Sequence, residues 1–261
     1  MKNRIQLFCS IGFLSLIWFI AISASSLAQP PQPPKSFFDE LVLANHILAN
    51  EDVLDGYGHV SVRSPNNPTH YFLARAGAPL LVTNADIVEY DLDSVAQTPN
   101  AAPGYLERFI HGEIYKARPD VMAVIHCHCP EVIPFADTGI PLRPMHHMGG
   151  FIGIGVPVFE IRATGGVTDM LIRTPALGKA LAQSLGGKNA VLLRGHGAAV
   201  VAPSLHLVVG RAYYLNLNAQ LQMKALQLSS KVTYLDPGEA KLATTDFERS
   251  WDAWKQKVAG K

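Results

Sequence analysis

The chain has 261 residues, enough for one large domain or two small ones and for a sizeable buried core. Apolar residues make up 48% and charged residues 16%, which excludes disordered, collagen-like and coiled-coil chains. The net charge of +1 is too small to neutralise a phosphate backbone, so nucleic acid is not an expected partner, and three cysteines cannot build a disulfide framework.

The N-terminus reads as a secretory signal, residues 1–28. Lys2 and Arg4 precede an apolar run over residues 5–22, and Ser26-Leu27-Ala28 offers a small-x-small cleavage site before Gln29. Cleavage there predicts an exported, periplasmic protein with no stable membrane association. The alternative is an uncleaved N-terminal anchor, because the apolar run sits at the lower length limit for a span. Export removes Cys9. Cys127 and Cys129 are then expected as buried free thiols, since two positions along an extended strand are poorly placed to bridge. Residues 29–35 (QPPQPPK) read as a short extended linker. Residues 36–261 carry no repeat and no second linker, and are expected to form one domain.

Apolar residues at 37, 38, 41, 42, 44, 47 and 48 predict a helix over residues 37–50. The tight loop Gly56-Tyr57-Gly58 leads into short strands over 59–63 and 71–75, followed by a strand over 87–92. A helix over 106–118 is stopped by Pro119, and a strand over 121–129 is ended by Pro130. Residues 137–155, containing Arg143, His146 and His147, read as a long loop of the functional kind. Strands over 157–161 and 190–193 enclose a helix over 177–185, and a last helix spans 205–228. This alternation predicts an α/β fold, a three-layer α/β/α sandwich around a central sheet.

The chemistry concentrates in three histidines. His126 and His128 are two apart on a strand, so both imidazoles share one face, an arrangement that suits a transition metal. Arg194-Gly195-His196-Gly197 adds a third imidazole at a strand end, where flanking glycines let the backbone come close. Glu107 and His111 stand at i, i+4 on one helical face. Three histidines with an open position follow the logic of a catalytic metal, and a nearby carboxylate supplies proton transfer.

The ordered set Glu107-x-x-x-His111, Arg118-Pro119-Asp120-Val121, His126-x-His128 and Arg194-Gly195-His196-Gly197 resembles the class II aldolase/adducin family over residues 36–229. The resemblance implies that His126, His128 and His196 hold a divalent metal, usually Zn²⁺, with Mn²⁺, Co²⁺ or Fe²⁺ as alternatives. It implies Glu107 as catalytic acid/base, a small-molecule substrate and a homotetramer. Members include sugar-phosphate aldolases, epimerases and decarboxylases of hydroxylated acids; adducin-like members have lost the metal.

This sequence departs from the sugar-phosphate pattern. The phosphate-binding Gly-Asn-x-Ser turn becomes Gly58-His59-Val60-Ser61, and the Ser-Ser pair before the catalytic Glu becomes Tyr105-Leu106. His147 stands where related aldolases carry a proton-relaying Tyr. The changes argue against a phosphorylated ketose, and make His59, Ser61 and Arg75 candidates to meet a substrate carboxylate. Aldol cleavage of an unphosphorylated hydroxy-carbonyl compound is the leading expectation, with decarboxylation of a hydroxylated aromatic acid second. A non-catalytic adducin-like protein and an iron-dependent oxygenase are the rivals. Residues 149–155 (GGFIGIG) lack the ending of a P-loop, and no Ser-His-Asp elbow is present.

Overall fold

The computed structural model describes residues 32–243 and 245–259; the signal segment, Cys9 and the start of the Pro-rich linker lie outside the described residues. In chain order the elements are α1 (Lys35–Asn50), β1 (His59–Arg63), β2 (His70–Ala74), β3 (Ile87–Asp91), α2 (Phe109–Ala117), β4 (Ala123–Cys127) and α3 (Ile133–Thr138). Then follow β5 (Val158–Phe159), α4 (Arg162–Gly165), α5 (Pro175–Leu185), β6 (Ala190–Leu193), β7 (Gly197–Ala202), α6 (Leu205–Leu228), α7 (Pro237–Leu242) and α8 (Glu248–Ala259).

The strands form a seven-stranded sheet in the order β3-β2-β1-β4-β7-β6-β5, antiparallel except for the β5–β6 pair. Alternate residues of each strand face opposite layers. Val60, Ile125, Cys127 and Val200 point into a core shared with α1, α6 and α8. Leu73, Val124, Val191 and Val201 point into a second core shared with α2 and α5. The sandwich is therefore three layers deep, as the alternation of elements predicts. His59, Ser61 and His126 share the face covered by α2.

Four local departures from the sequence reading have physical causes. The segment over 106–118 is a 3-10 turn (Leu106–Arg108) followed by α2, with Glu107 inside the turn at the non-helical angles φ −93° and ψ 16°. Residues 197–202, an unbroken run of small and β-branched residues, form the interior strand β7, between β4 and β6; with no alternation, such a run gives no period to read. Helices α7 and α8 follow the last helix that the pattern predicts. Residues 137–155 are tethered rather than free: Asn218 and Gln222 of α6 accept from Met145 N and Arg143 N at 2.8 Å, and donate to the carbonyls of Arg143 and Pro141.

Cys127 and Cys129 form a disulfide, which corrects the expectation of free thiols. The strand ends at Cys127, so the chain leaves extended geometry at His128, and a Cα separation of 5.4 Å falls within the range a disulfide spans. Both residues are fully buried. Alkylation of the denatured, unreduced protein should therefore leave Cys127 and Cys129 unmodified, with both labelled after reduction. Labelling of either without reductant would count against the bridge.

Candidate metal centre

Strand adjacency brings the histidines together. In the β1–β4 ladder His59 lies opposite His126, and in the β4–β7 ladder His126 lies opposite Ala199. His128 follows the end of β4, and His196 occupies the turn from β6 into β7. Two glycines make that turn possible. Gly195 adopts a left-handed φ of 63°, and a Cβ on Gly197 would collide with the Cys127 carbonyl oxygen.

One ligand atom each from Glu107, His126, His128 and His196 falls within 4.8 Å of the others. The other ring nitrogens decide what these atoms are. His126 Nδ1 lies 3.1 Å from the Ala198 carbonyl, His128 Nδ1 lies 2.9 Å from Asp55 Oδ2, and His196 Nδ1 lies 3.1 Å from the Met170 carbonyl. Each oxygen is an acceptor, so each Nδ1 carries the proton and each Nε2 turns a lone pair inward. His126 Nε2 is buried with no hydrogen-bond partner, and the Nε2 atoms of His128 and His196 approach to 3.1 Å. Lone pairs so placed repel one another, and a bound divalent cation removes the conflict. The donor set thus fits a metal of zinc-like borderline softness.

Glu107 completes the group. Its Oε1 accepts from Ile172 N at 2.8 Å, while Oε2 stands 3.3 Å from His126 Nε2 and 3.5 Å from His196 Nε2. Burial favours the neutral acid, but in the metal-free site a proton shared with His126 or His196 outweighs it and holds the carboxyl well below its ordinary range; with both lone pairs on a cation, the cation's charge takes that part. The carboxylate is therefore an anion at rest.

The remaining predicted site residues fall in different places. His59 is buried on the wall of the centre, its ring 4.4 Å from that of Tyr105 and 5.2 Å from that of His126. Ser61 is fully buried; its hydroxyl is held by His111 Nδ1 at 2.6 Å and Tyr115 OH at 2.8 Å. His111 places Nε2 2.7 Å from His59 Nδ1, and no hydrogen bond between it and Glu107 is present among the described residues. Burial holds His59 well below its ordinary pKa and takes His111 down to about 3, so both are neutral. Arg75 is half-exposed, with its guanidinium engaged by Asp86 and the Ala76 carbonyl. His147 is exposed at the start of a 3-10 turn whose Gly149, Gly150 and Ile152 are buried, and makes a ring contact with His146.

Three contributors are missed by the motif reading. Asp55 orients His128 with one carboxylate oxygen while the other caps the backbone N–H groups of Tyr57 and Gly58. Met170, at a left-handed φ of 72°, supplies the carbonyl that fixes His196, and Ile172 supplies the N–H that fixes Glu107. The Asp ahead of Gly-Tyr-Gly is a sequence signal for the first. The other two act through backbone atoms, so side-chain identity carries no trace of them.

A family model described as "Class II Aldolase and Adducin N-terminal domain" matches residues 39–223. The chain belongs to this class II aldolase and adducin family. Among its relatives in the family, Decarboxylase tropJ of Talaromyces stipitatus is 37% identical over 240 residues, covering 82% of this chain and 90% of that protein. A 3,4-dihydroxyphthalate decarboxylase of Arthrobacter keyseri is 30% identical over 238 residues, covering 85% and 92%. The solved L-fuculose 1-phosphate aldolase of Glaciozyma antarctica PI12 superposes with a TM-score of 0.71 at 23% identity, covering 88% of this chain and 93% of that one. At that identity the likeness speaks for the fold, and the resemblance drawn from the histidine motifs holds.

Proposed function

We propose that this class II aldolase family member is a metal-dependent decarboxylase of a hydroxylated aromatic carboxylic acid. The observation that carries the reading is the convergence of Glu107 with three inward-facing imidazole lone pairs, in a chain whose relatives named above are decarboxylases. This favours decarboxylation over the aldol cleavage that the sequence motifs put first. The replacement of a hydroxyl-rich turn by His59 against Tyr105 supports it further, since an aromatic wall suits an aromatic substrate better than a phosphate.

His126, His128 and His196 would hold the divalent metal, Zn²⁺ or a similar cation. When bound it would act as a Lewis acid for the phenolic and carboxylate oxygens of the substrate. The chain's own groups then account for the proton. Glu107, anionic at rest, takes the phenolic proton as the substrate docks. The bond between the ring and the carboxylate breaks, CO₂ departs and the electron pair remains on the ring carbon. Glu107 returns its proton to that carbon, leaving the decarboxylated phenolate. His59 on the wall offers a contact for a substrate carboxylate. The Cys127–Cys129 disulfide supports export to an oxidising compartment, in keeping with the N-terminal signal.

The test is a product assay on Zn²⁺- and Mn²⁺-loaded protein, offered dihydroxylated benzoates and phthalates beside simple hydroxyketones. CO₂ release with formation of the phenol is the expected result. Aldehyde formation from a hydroxyketone without CO₂ would instead restore the aldolase reading.

A further inference from the structure

His59, His111, Ser61 and Tyr115 form a continuous buried chain of three short hydrogen bonds, of 2.7, 2.6 and 2.8 Å. None of these four residues is more than 1% exposed. Such a chain has a direction, because each link needs one donor and one acceptor. Tyr115 is buried, and its hydroxyl meets one hydrogen-bond partner among the described residues, the Ser61 oxygen, so its proton is directed there. Ser61 then spends its proton on His111 Nδ1. With Nδ1 accepting, neutral His111 carries its proton on Nε2 and donates to His59 Nδ1. The order ends with the His59 proton on Nε2. The reverse order would leave the buried Tyr115 proton without an acceptor among the described residues.

We propose that Tyr115, Ser61 and His111 are positioning residues that lock His59 as the Nε2–H tautomer, making it a hydrogen-bond donor to a substrate carboxylate oxygen beside the metal centre. The identity of that recipient rests on the decarboxylase reading; the tautomer itself does not. The opposite tautomer would present a lone pair to the carboxylate and repel it, so the lock sets specificity for an anionic oxygen at this wall. It also accounts for the position of Ser61. The hydroxyl that a motif reading assigns to the substrate is turned inward to act on His59 from behind.

Two measurements on the full Zn²⁺-loaded protein test the proposal. Long-range ¹H–¹⁵N correlation on histidine-labelled protein, with His59→Gln to assign the signal, should show the Nε2–H pattern for His59; an Nδ1–H pattern overturns the lock. Tyr115→Phe and Ser61→Ala should each raise KM for a dihydroxylated aromatic carboxylate about tenfold, with kcat and bound zinc nearly unchanged. Ser61→Thr, which keeps the hydroxyl, should restore KM. An unchanged KM alongside a lowered melting temperature would reduce the chain to core structure and overturn the proposal. Absence of CO₂ release from every carboxylate by the wild-type protein would defeat the decarboxylase reading alone, and the tautomer would still be decided by the spectrum.

Discussion

Replacing Glu107 by glutamine is expected to lower turnover about a thousandfold while bound metal stays in place, in line with the loss of a general acid/base. The substitution is nearly isosteric. An amide oxygen can still accept from Ile172 N, so the side chain keeps its anchor at 2.8 Å, and the three Nδ1 partners that orient the histidines are untouched. What disappears is the negative charge between His126 and His196, and with it the group proposed to carry the proton. The measurement pairs kcat for CO₂ release with the metal content of the same sample. Turnover within tenfold of wild type, at equal metal content, would remove Glu107 from the proton path. Loss of both activity and metal would mean that the carboxylate is chiefly a ligand.

Much of this site is written in side chains, and that portion was legible. His126-x-His128 on one strand face and His196 between two glycines carry their chemistry in residue type and spacing alone. The strands over 59–63 and 190–193 were bounded by turn residues and match the observed elements. What escaped depends on tertiary placement. Strand β7, an apolar run with no alternation, offered no period, yet it carries the Ala198 carbonyl that fixes His126. Met170 and Ile172 contribute only their backbones. Ser61 and His111 are visible as polar residues, but that His111 bonds to Ser61 and His59 shows only in the packed fold. The cysteine bridge escapes motif spacing for a related reason: a chain extended through residue 129 would keep the two thiols apart, whereas the strand ends at Cys127.

Divalent metal should stabilise the folded protein, and the gain should vanish when either partly exposed ligand is removed. A ligand that binds the native state alone adds about 2.7 kcal/mol at a hundredfold excess over its Kd, roughly 5–10 °C in melting temperature for a domain of this size. His128→Ala and His196→Ala test this more cleanly than His126→Ala, because His126 is fully buried in β4 and its truncation would open a cavity. Both variants are expected to melt near the metal-free wild type and to show no rise on adding Zn²⁺. Asp55→Asn should fall between. The asparagine oxygen can still cap Tyr57 and Gly58, but its amide then faces His128 Nδ1 donor to donor, which should weaken metal affinity by about ten- to a hundredfold. A full zinc-dependent shift in His196→Ala would place the ion elsewhere. Equal shifts in Asp55→Asn and wild type across a zinc titration would show that the orientation of His128 does not depend on that carboxylate.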